Sequence, residues 1–294
     1  MENPKFVDVK GIKTRYFEAG SGESLVLIPG GQMSSWYSAY HWNLNFDVLR
    51  EHFHVYAVDK LGQGYTDNPK SDADYTMTAT IEHVYDFLVA VGIQRAVLMG
   101  HSRGALPAAR IAVDHPEMVR ALIIVDTNTL PADHPSTPVN FYTKLGENPP
   151  ATPDEEFVCR EPEANSYSRD HITRDFVEEM LKIALLPKTT EARKKYYKER
   201  LLDSRFLPDM RKKKYETLDK IRDGGLKAPT LIIWGLNDMS APVILGYELF
   251  QHISMVVGRT QLHVFNQAGH YVFREHAREV NRLVVEFLED SSLE

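Results

Sequence analysis

The pentapeptide Gly100-His101-Ser102-Arg103-Gly104 sets a hydroxyl nucleophile between two glycines. It follows the run Arg95 to Met99, which reads as a buried strand, and precedes a helix-like stretch from Ala105 to His115. A serine on a sharp strand-to-helix turn needs small neighbours two residues before and after it, so that the chain can cross itself while the hydroxyl projects into a cleft. Such a serine needs a base and an acid, expected in the chain order serine, acid, histidine. Asp238 ends the apolar run Pro229 to Gly235 through Leu236-Asn237, and His270 follows the run Gln261 to Phe265 through Asn266-Gln267-Ala268-Gly269. His270 would take the Ser102 proton as it attacks a carbonyl and return it to the leaving group, while Asp238 fixes the imidazole tautomer and stabilises the imidazolium. Taken singly, these are a turn aspartate and a surface histidine; with the elbow they read as a triad. Asp126, at the end of the run 120–125, is the rival acid, and the motif order favours Asp238.

A tetrahedral oxyanion needs N–H donors. The strand-like Leu25 to Ile28 runs into Pro29-Gly30-Gly31-Gln32, whose glycines let backbone N–H groups approach a ligand. The expected donors are the backbone N–H groups of Gly31 and Arg103. Met33, Trp36, Tyr37 and Trp42 come next and are expected to line the pocket as an aromatic wall, with Gly30, Gln32, His101 and Tyr271 beside them. The plainer reading of Trp36 and Trp42 is packing at a helix start.

These residues must be positioned by a scaffold. Strand-like and helix-like segments alternate, which predicts an α/β fold with a mostly parallel central sheet covered by helices on both faces. Phe6 to Val9 and Lys13 to Glu18 should form an antiparallel edge hairpin, followed by buried strands at 25–28, 54–59, 95–99, 120–125, 229–234 and 261–265. Ile81, Val84, Leu88 and Val91 keep helical spacing with Gly92 as a stop, and Val280, Leu283, Val284, Phe287 and Leu288 do the same near the end. Pro107 sits too far into its helix for comfort, so either that helix starts later or its first turn is distorted.

The rhythm breaks between Thr127 and Ala228. Pro131, Pro135, Pro138, Pro149, Pro150 and Pro153 mark a loop-like passage, and the chain is then charged and helical from Arg174 to Arg222. The expected organisation is a core over 1–130 and 226–294 with a helical lid inserted at 131–225. A lid would exclude water and supply the substrate pocket, with Phe141, Tyr142, Phe157, Phe176, Met180 and Leu181 as candidates to face the cleft, against the reading that they pack lid onto core.

The elbow, the Ile28-Pro29-Gly30-Gly31-Gln32 turn and Val58-Asp59-Lys60-Leu61-Gly62-Gln63-Gly64 resemble the motifs of the α/β-hydrolase superfamily over almost the whole chain. Within it, Ser168-Arg169-Asp170-His171-Ile172-Thr173 before a helix, and the ending from His263 to Leu288, are similar to the branch of meta-cleavage-product hydrolases, which cut carbon–carbon bonds in ring-opened aromatic compounds, and to related lactonases and esterases. The resemblance implies a cofactor-free serine hydrolase acting on an ester, a lactone or a carbon–carbon bond beside a ketone. Dehalogenase and epoxide hydrolase readings are disfavoured, because those relatives place an aspartate where Ser102 stands. The chain also departs from the carbon–carbon hydrolases. They carry Asn before the nucleophile, Trp after the histidine and Arg in the lid helix, where this chain has His101, Tyr271 and Met180. Arg160, Arg169 and Arg174 are lid cations that would replace the missing one, unless they are simply solvated. The superfamily also includes small-molecule receptors, a second class that an intact triad argues against.

Composition bounds the rest. With 294 residues, 43% of them hydrophobic, the chain can bury a sizeable core. A net charge of −7 with only a short basic run, Arg211-Lys212-Lys213-Lys214, argues for a small-molecule substrate and against nucleic acid. No signal sequence and no bilayer-length apolar run are present, so a cytoplasmic location and no membrane partner are expected. Cys159 is the single cysteine, which rules out an intrachain disulfide and a thiolate metal site; no metal is expected. A homodimer is compatible with the sequence, though no feature demands one.

Overall fold

The computed structural model describes residues 1–139 and 141–290. Eight strands form one sheet, β1 (Lys5–Val9), β2 (Ile12–Ala19), β3 (Ser24–Ile28), β4 (His54–Val58), β5 (Ala96–His101), β6 (Val119–Val125), β7 (Thr230–Gly235) and β8 (Thr260–Phe265), in the order β1-β2-β4-β3-β5-β6-β7-β8. The β1/β2 and β2/β4 pairs are antiparallel and all others are parallel. Strands β3, β5, β6 and β7 are near-continuous apolar runs because helices cover both of their faces. Alternation along each strand sends Val26, Leu98, Ile124 and Ile232 into one core and Leu27, Val97, Ile123 and Ile233 into the other.

Eleven α-helices accompany the sheet among the described residues: α1 (Asn43–Leu49), α2 (Met77–Ala90), α3 (Ala105–Asp114), α4 (Phe141–Leu145), α5 (Glu155–Asn165), α6 (Arg174–Ala184), α7 (Pro187–Arg193), α8 (Leu207–Arg222), α9 (Ile244–Ser254), α10 (Val272–Glu275) and α11 (Ala277–Glu289). The Thr76 hydroxyl caps α2 by accepting from the Ala79 amide at 3.1 Å, and Gly92, at φ 78°, ends it. Ile81, Val84 and Leu88 are buried as their spacing requires. The Pro107 conflict resolves through a single 3-10 turn, Ser102–Gly104, inserted before α3. The α-helix then starts at Ala105, and Pro107 falls in the first turn, where no N–H is needed.

The segment expected as a lid over 131–225 behaves as two parts. Helices α5 and α6 seat on the core: Trp36 Nε1, in the loop after β3, donates to Val158 O at 3.2 Å, and Arg15 of β2 joins Glu179 at 3.1 Å. The last helix, α8, instead packs on α2 and α3, burying Leu218 and Ile221. It belongs to the layer covering the sheet. Between α7 and α8 the chain takes wide π-helical turns over Lys194–Lys198 and Leu202–Phe206. Among the described residues no helix is long and apolar enough to cross a membrane.

Candidate active site

Ser102 sits at the end of β5 with φ 50°, a left-handed conformation rare for a residue with a side chain. The strain is held by close packing of the turn. A methyl group on Gly100 would come within 2.7 Å of Ala105 Cα, and one on Gly104 within 2.6 Å of Pro29 O, so only glycine fits at either place. The Ser102 amide is anchored to Asp126 O at 3.0 Å. The hydroxyl is thereby presented at the carboxyl end of a parallel strand, where such sheets form their ligand crevice.

Asp238 and His270 follow β7 and β8 and converge on that crevice. His270 Nδ1 lies 2.6 Å from Asp238 Oδ2, and both side chains are buried. The other oxygen of Asp238 accepts from the Ser240 amide at 2.8 Å, the Ala241 amide at 2.7 Å and the Ser240 hydroxyl at 3.2 Å, which leaves Oδ2 for the imidazole. His270 Nε2 is buried and has no partner. Burial alone would push the imidazole pKa down, but the charge and hydrogen bond of Asp238 outweigh it and hold the pKa above its ordinary value. Asp126 does not take this place. Its Oδ1 accepts from the Gly235 amide at 2.8 Å, and burial together with the nearby Asp238 pushes its carboxyl well above the usual range. It is Asp238, not Asp126, that meets Nδ1.

The two expected oxyanion donors share one device. In a trans peptide the C=O and N–H point in opposite directions, so holding the carbonyl aims the amide. Gln63 Nε2 donates to Gly30 O at 2.9 Å, which turns the Gly31 N–H the other way. The Thr127 hydroxyl at 2.9 Å and that of Thr129 at 3.3 Å donate to Ser102 O, which does the same for the Arg103 N–H. Gly31 has φ 70°, and a methyl group there would sit 2.6 Å from Ser35 Oγ. On Gly30 a methyl group would sit 2.9 Å from both His101 Nδ1 and Ser102 Cβ, so this turn lies directly against the nucleophile. The Asp59 motif supports it: the Asp59 carboxylate accepts from Ala39 N at 2.7 Å, Tyr65 N at 2.8 Å and Arg15 Nε at 2.6 Å.

The expected pocket residues divide into groups. His101 and Tyr271 flank His270, and Tyr37 packs on Tyr271 at 6.3 Å: the His101 and His270 rings are 4.8 Å apart, and His101 Nε2 lies 2.9 Å from His270 O. Gln32 accepts from the Arg103 guanidinium and donates to the Tyr197 hydroxyl at 3.0 Å. Trp36 packs on Phe157 at 5.3 Å, and Phe176 stacks under the Arg274 guanidinium at 3.8 Å. Met33 and Met180 are buried in the core clusters, as is Trp42, which packs on Phe273 at 4.3 Å. Phe141 lies outside these contacts, at a surface depression shared with Pro138, Val139, Lys144 and Leu145. Cys159 is unpaired, and burial pushes its thiol up to about 11, away from nucleophilic use. Among the described residues no group of three or more His, Cys, Asp or Glu side chains could hold a metal ion.

The lid arginines take the second of their two readings, charges on the lid surface. Arg160 pairs with Glu156 at 3.5 Å, Arg169 with Glu163 at 3.5 Å and Arg174 with Glu178 at 2.8 Å. All three charges are already matched by neighbours. The cation that sequence reasoning missed is Arg193, at the end of α7. Its guanidinium lies over Trp36 at 5.2 Å, Phe157 at 5.4 Å and Tyr197 at 5.3 Å, and among the described residues it has no carboxylate partner. Arg103 likewise lies over Tyr142 and Phe206, with Gln32 as its one side-chain hydrogen-bond partner among the described residues. Glu161, on α5, was missed too; its carboxylate receives the Tyr37 hydroxyl at 2.6 Å and the Tyr271 hydroxyl.

Comparison with known proteins agrees with this architecture. A family model described as the alpha/beta hydrolase fold matches residues 23–277. The chain is 27% identical over 300 residues to the 2-hydroxy-6-oxo-6-(2'-aminophenyl)hexa-2,4-dienoic acid hydrolase of Metapseudomonas resinovorans, covering 97% of this chain and 90% of that protein. It is 26% identical over 286 residues to the 2-hydroxy-6-oxo-6-phenylhexa-2,4-dienoate hydrolase of Comamonas testosteroni, covering 96% and 93%. A solved meta-cleavage product hydrolase from Pseudomonas fluorescens IP01 shares the fold with a TM-score of 0.78 at 24% identity, covering 98% of both chains. The chain therefore belongs to the α/β-hydrolase fold family, as a hydrolase that resembles the meta-cleavage-product branch.

Proposed function

We propose that this enzyme uses Ser102, His270 and Asp238 to cleave the carbon–carbon bond beside the ketone of a ring-opened aromatic dienoate. The observation that carries the reading is His270, whose Nδ1 is held by Asp238 at 2.6 Å, whose ring lies 4.8 Å from that of His101 beside Ser102, and whose buried Nε2 has no hydrogen-bond partner among the described residues and is free to receive a proton. The choice of bond draws on the dienoate substrates named for its relatives and on Arg193 and Arg103, two cations without carboxylates of their own that suit a substrate carboxylate.

In this mechanism the dienol first becomes a ketone, its hydroxyl losing a proton and a carbon of the diene gaining one. Burial keeps His101 neutral, and with Nε2–H donating to His270 O its Nδ1 has a free lone pair beside Gly30 for that hydroxyl proton. Ser102 Oγ then attacks the carbon of the substrate's original ketone, beside the scissile bond, as its proton passes to His270 Nε2, and the oxyanion is met by the Gly31 and Arg103 amides, the newly formed ketone serving as electron sink. The carbon–carbon bond breaks, its electron pair delocalises into the dienoate fragment, and His270 returns the proton there. Water activated by His270 releases the acyl group as an acid.

An ester or lactone is the second reading. It is favoured by Glu161, whose carboxylate beside Tyr271 would repel a substrate carrying a second negative charge near His270. Both readings are tested by turnover of a chromophoric dienoate and a short p-nitrophenyl ester by wild type and Ser102→Ala. The expected result is loss of about 10⁴-fold or more in kcat on either substrate. Turnover that survives in Ser102→Ala would reject the nucleophile.

A further inference from the structure

Helix α5 brings a carboxylate into the site that the mechanism above leaves unused. Glu161 Oε2 accepts from the Tyr37 hydroxyl at 2.6 Å and from the Tyr271 hydroxyl, and Oε1 accepts from Asn165 Nδ2 at 2.8 Å. Three donors thus converge on it, an arrangement a carboxylate satisfies and a carboxamide would satisfy only in part. Asn165, fully buried and one turn further along α5, gives its other Nδ2 proton to Ser240 Oγ at 3.0 Å. Ser240 Oγ in turn donates to Asp238 Oδ1 at 3.2 Å, and Asp238 holds His270. The same Asn165 accepts the His270 amide on its carbonyl at 2.7 Å. The loop before His270 is pressed close at this point: a methyl group on Gly269 would come within 2.8 Å of Ser166 Cα. One turn of α5 therefore reaches His270 directly and Asp238 through the Ser240 hydroxyl.

We propose that Glu161 is a positioning residue for that pair: it seats Asn165 against Ser240 and the His270 amide, and its negative charge supports the imidazolium that forms when Ser102 gives up its proton. The inference rests on the triad reading. The groups that face His270 are Asp238 on the β7 loop, Asp126 on the β6 loop, His101 on β5, Tyr271 beside it and Glu161 on α5. Those that face Glu161 are Tyr37, Tyr142 and Tyr271. Burial and Glu161 push the Tyr37 and Tyr271 phenols well up, so both stay protonated donors. Burial and His270 push His101 down, so it stays neutral, while Asp238 first, then Asp126, then Glu161 raise the imidazole pKa. Because Glu161 raises the His270 pKa, removing its charge must lower it.

The test needs no knowledge of the substrate. The second-order rate of Ser102 labelling by a fluorophosphonate is measured against pH for the full chain, for Glu161→Gln, Glu161→Asp and Tyr271→Phe. The acid limb should fall by about half a unit to one unit in Glu161→Gln and return toward wild type in Glu161→Asp. In Tyr271→Phe, which keeps the carboxylate and removes one of its donors, the limb should stay at or above the wild-type position. An unmoved limb in Glu161→Gln, or a downward shift in Tyr271→Phe that matches it, overturns the proposal. Failure of wild type to label at Ser102 would reject the triad reading and the proposal together, so the two failures are told apart.

Discussion

Thr127 and Thr129 act on Ser102 from behind, by gripping the carbonyl whose peptide plane carries the Arg103 amide. Replacing both with valine keeps their shape and frees that plane. The expected outcome is a fall in kcat of about tenfold or more with little change in KM, measured by steady-state kinetics, since a lost oxyanion donor costs about 3 kcal/mol. The raised His270 pKa makes a second prediction at this scale. The base must be neutral to accept the Ser102 proton, so raising its pKa moves the acid limb of kcat/KM upward, above the ordinary imidazole value of about 6.5. A limb at or below that value, in a pH profile at saturating ionic buffer, would mean Asp238 does not control the base. The strained turn at Ser102 and the pairing of Asp238 with His270 were legible in the sequence because each of the three follows an apolar run and glycines flank the serine. Glu161 and Arg193 were not. Both lie in charged helical stretches where nothing local separates a buried charge from a solvated one, and only the folded chain shows that Arg193 meets three aromatic rings while Arg160, Arg169 and Arg174 meet carboxylates.

At the level of elements, the crossing of β5 into α3 leaves no room for a side chain at either glycine. Gly104 faces Pro29 O, so the elbow and the oxyanion turn are packed backbone to backbone. Gly104→Ala should destabilise the fold by about 3 kcal/mol and lower Tm by roughly 5–10 °C, as read by calorimetry, and should cost activity even in the folded fraction. An alanine variant of wild-type stability would show that the joint has room to give. The eight strands and the stripe of α2 could be read from apolar runs and helical spacing because those patterns report burial directly. The end of the inserted segment could not. Helix α8 is as charged as the helices before it, yet Leu218 and Ile221 dock it on α2 and α3, and a pattern of charge cannot distinguish a helix on the sheet from one above it.

For the molecule as a whole, the sheet carries Ser102, Asp238 and His270, and in the proposed function the inserted helices surround the substrate. Arg193 comes from α7 and is held by Trp36 of the core and Phe157 of α5, so the cation exists only when the layers are assembled. Arg193→Leu should raise KM for a carboxylate-bearing dienoate by about 10- to 100-fold and leave KM for a neutral ester unchanged, because it removes a charge-assisted hydrogen bond from one substrate only. Equal effects on both substrates would assign Arg193 to packing. The central claim, a carbon–carbon bond cut by the serine triad, is tested most directly by the ratio of kcat/KM for the chromophoric ring-opened dienoate to that for the short p-nitrophenyl ester in the wild-type enzyme. A ratio above about 10², corresponding to roughly 2.7 kcal/mol of transition-state preference for the dienoate, is the predicted result. A ratio below one would contradict the account and make the enzyme an esterase or lactonase that shares the fold of the carbon–carbon hydrolases.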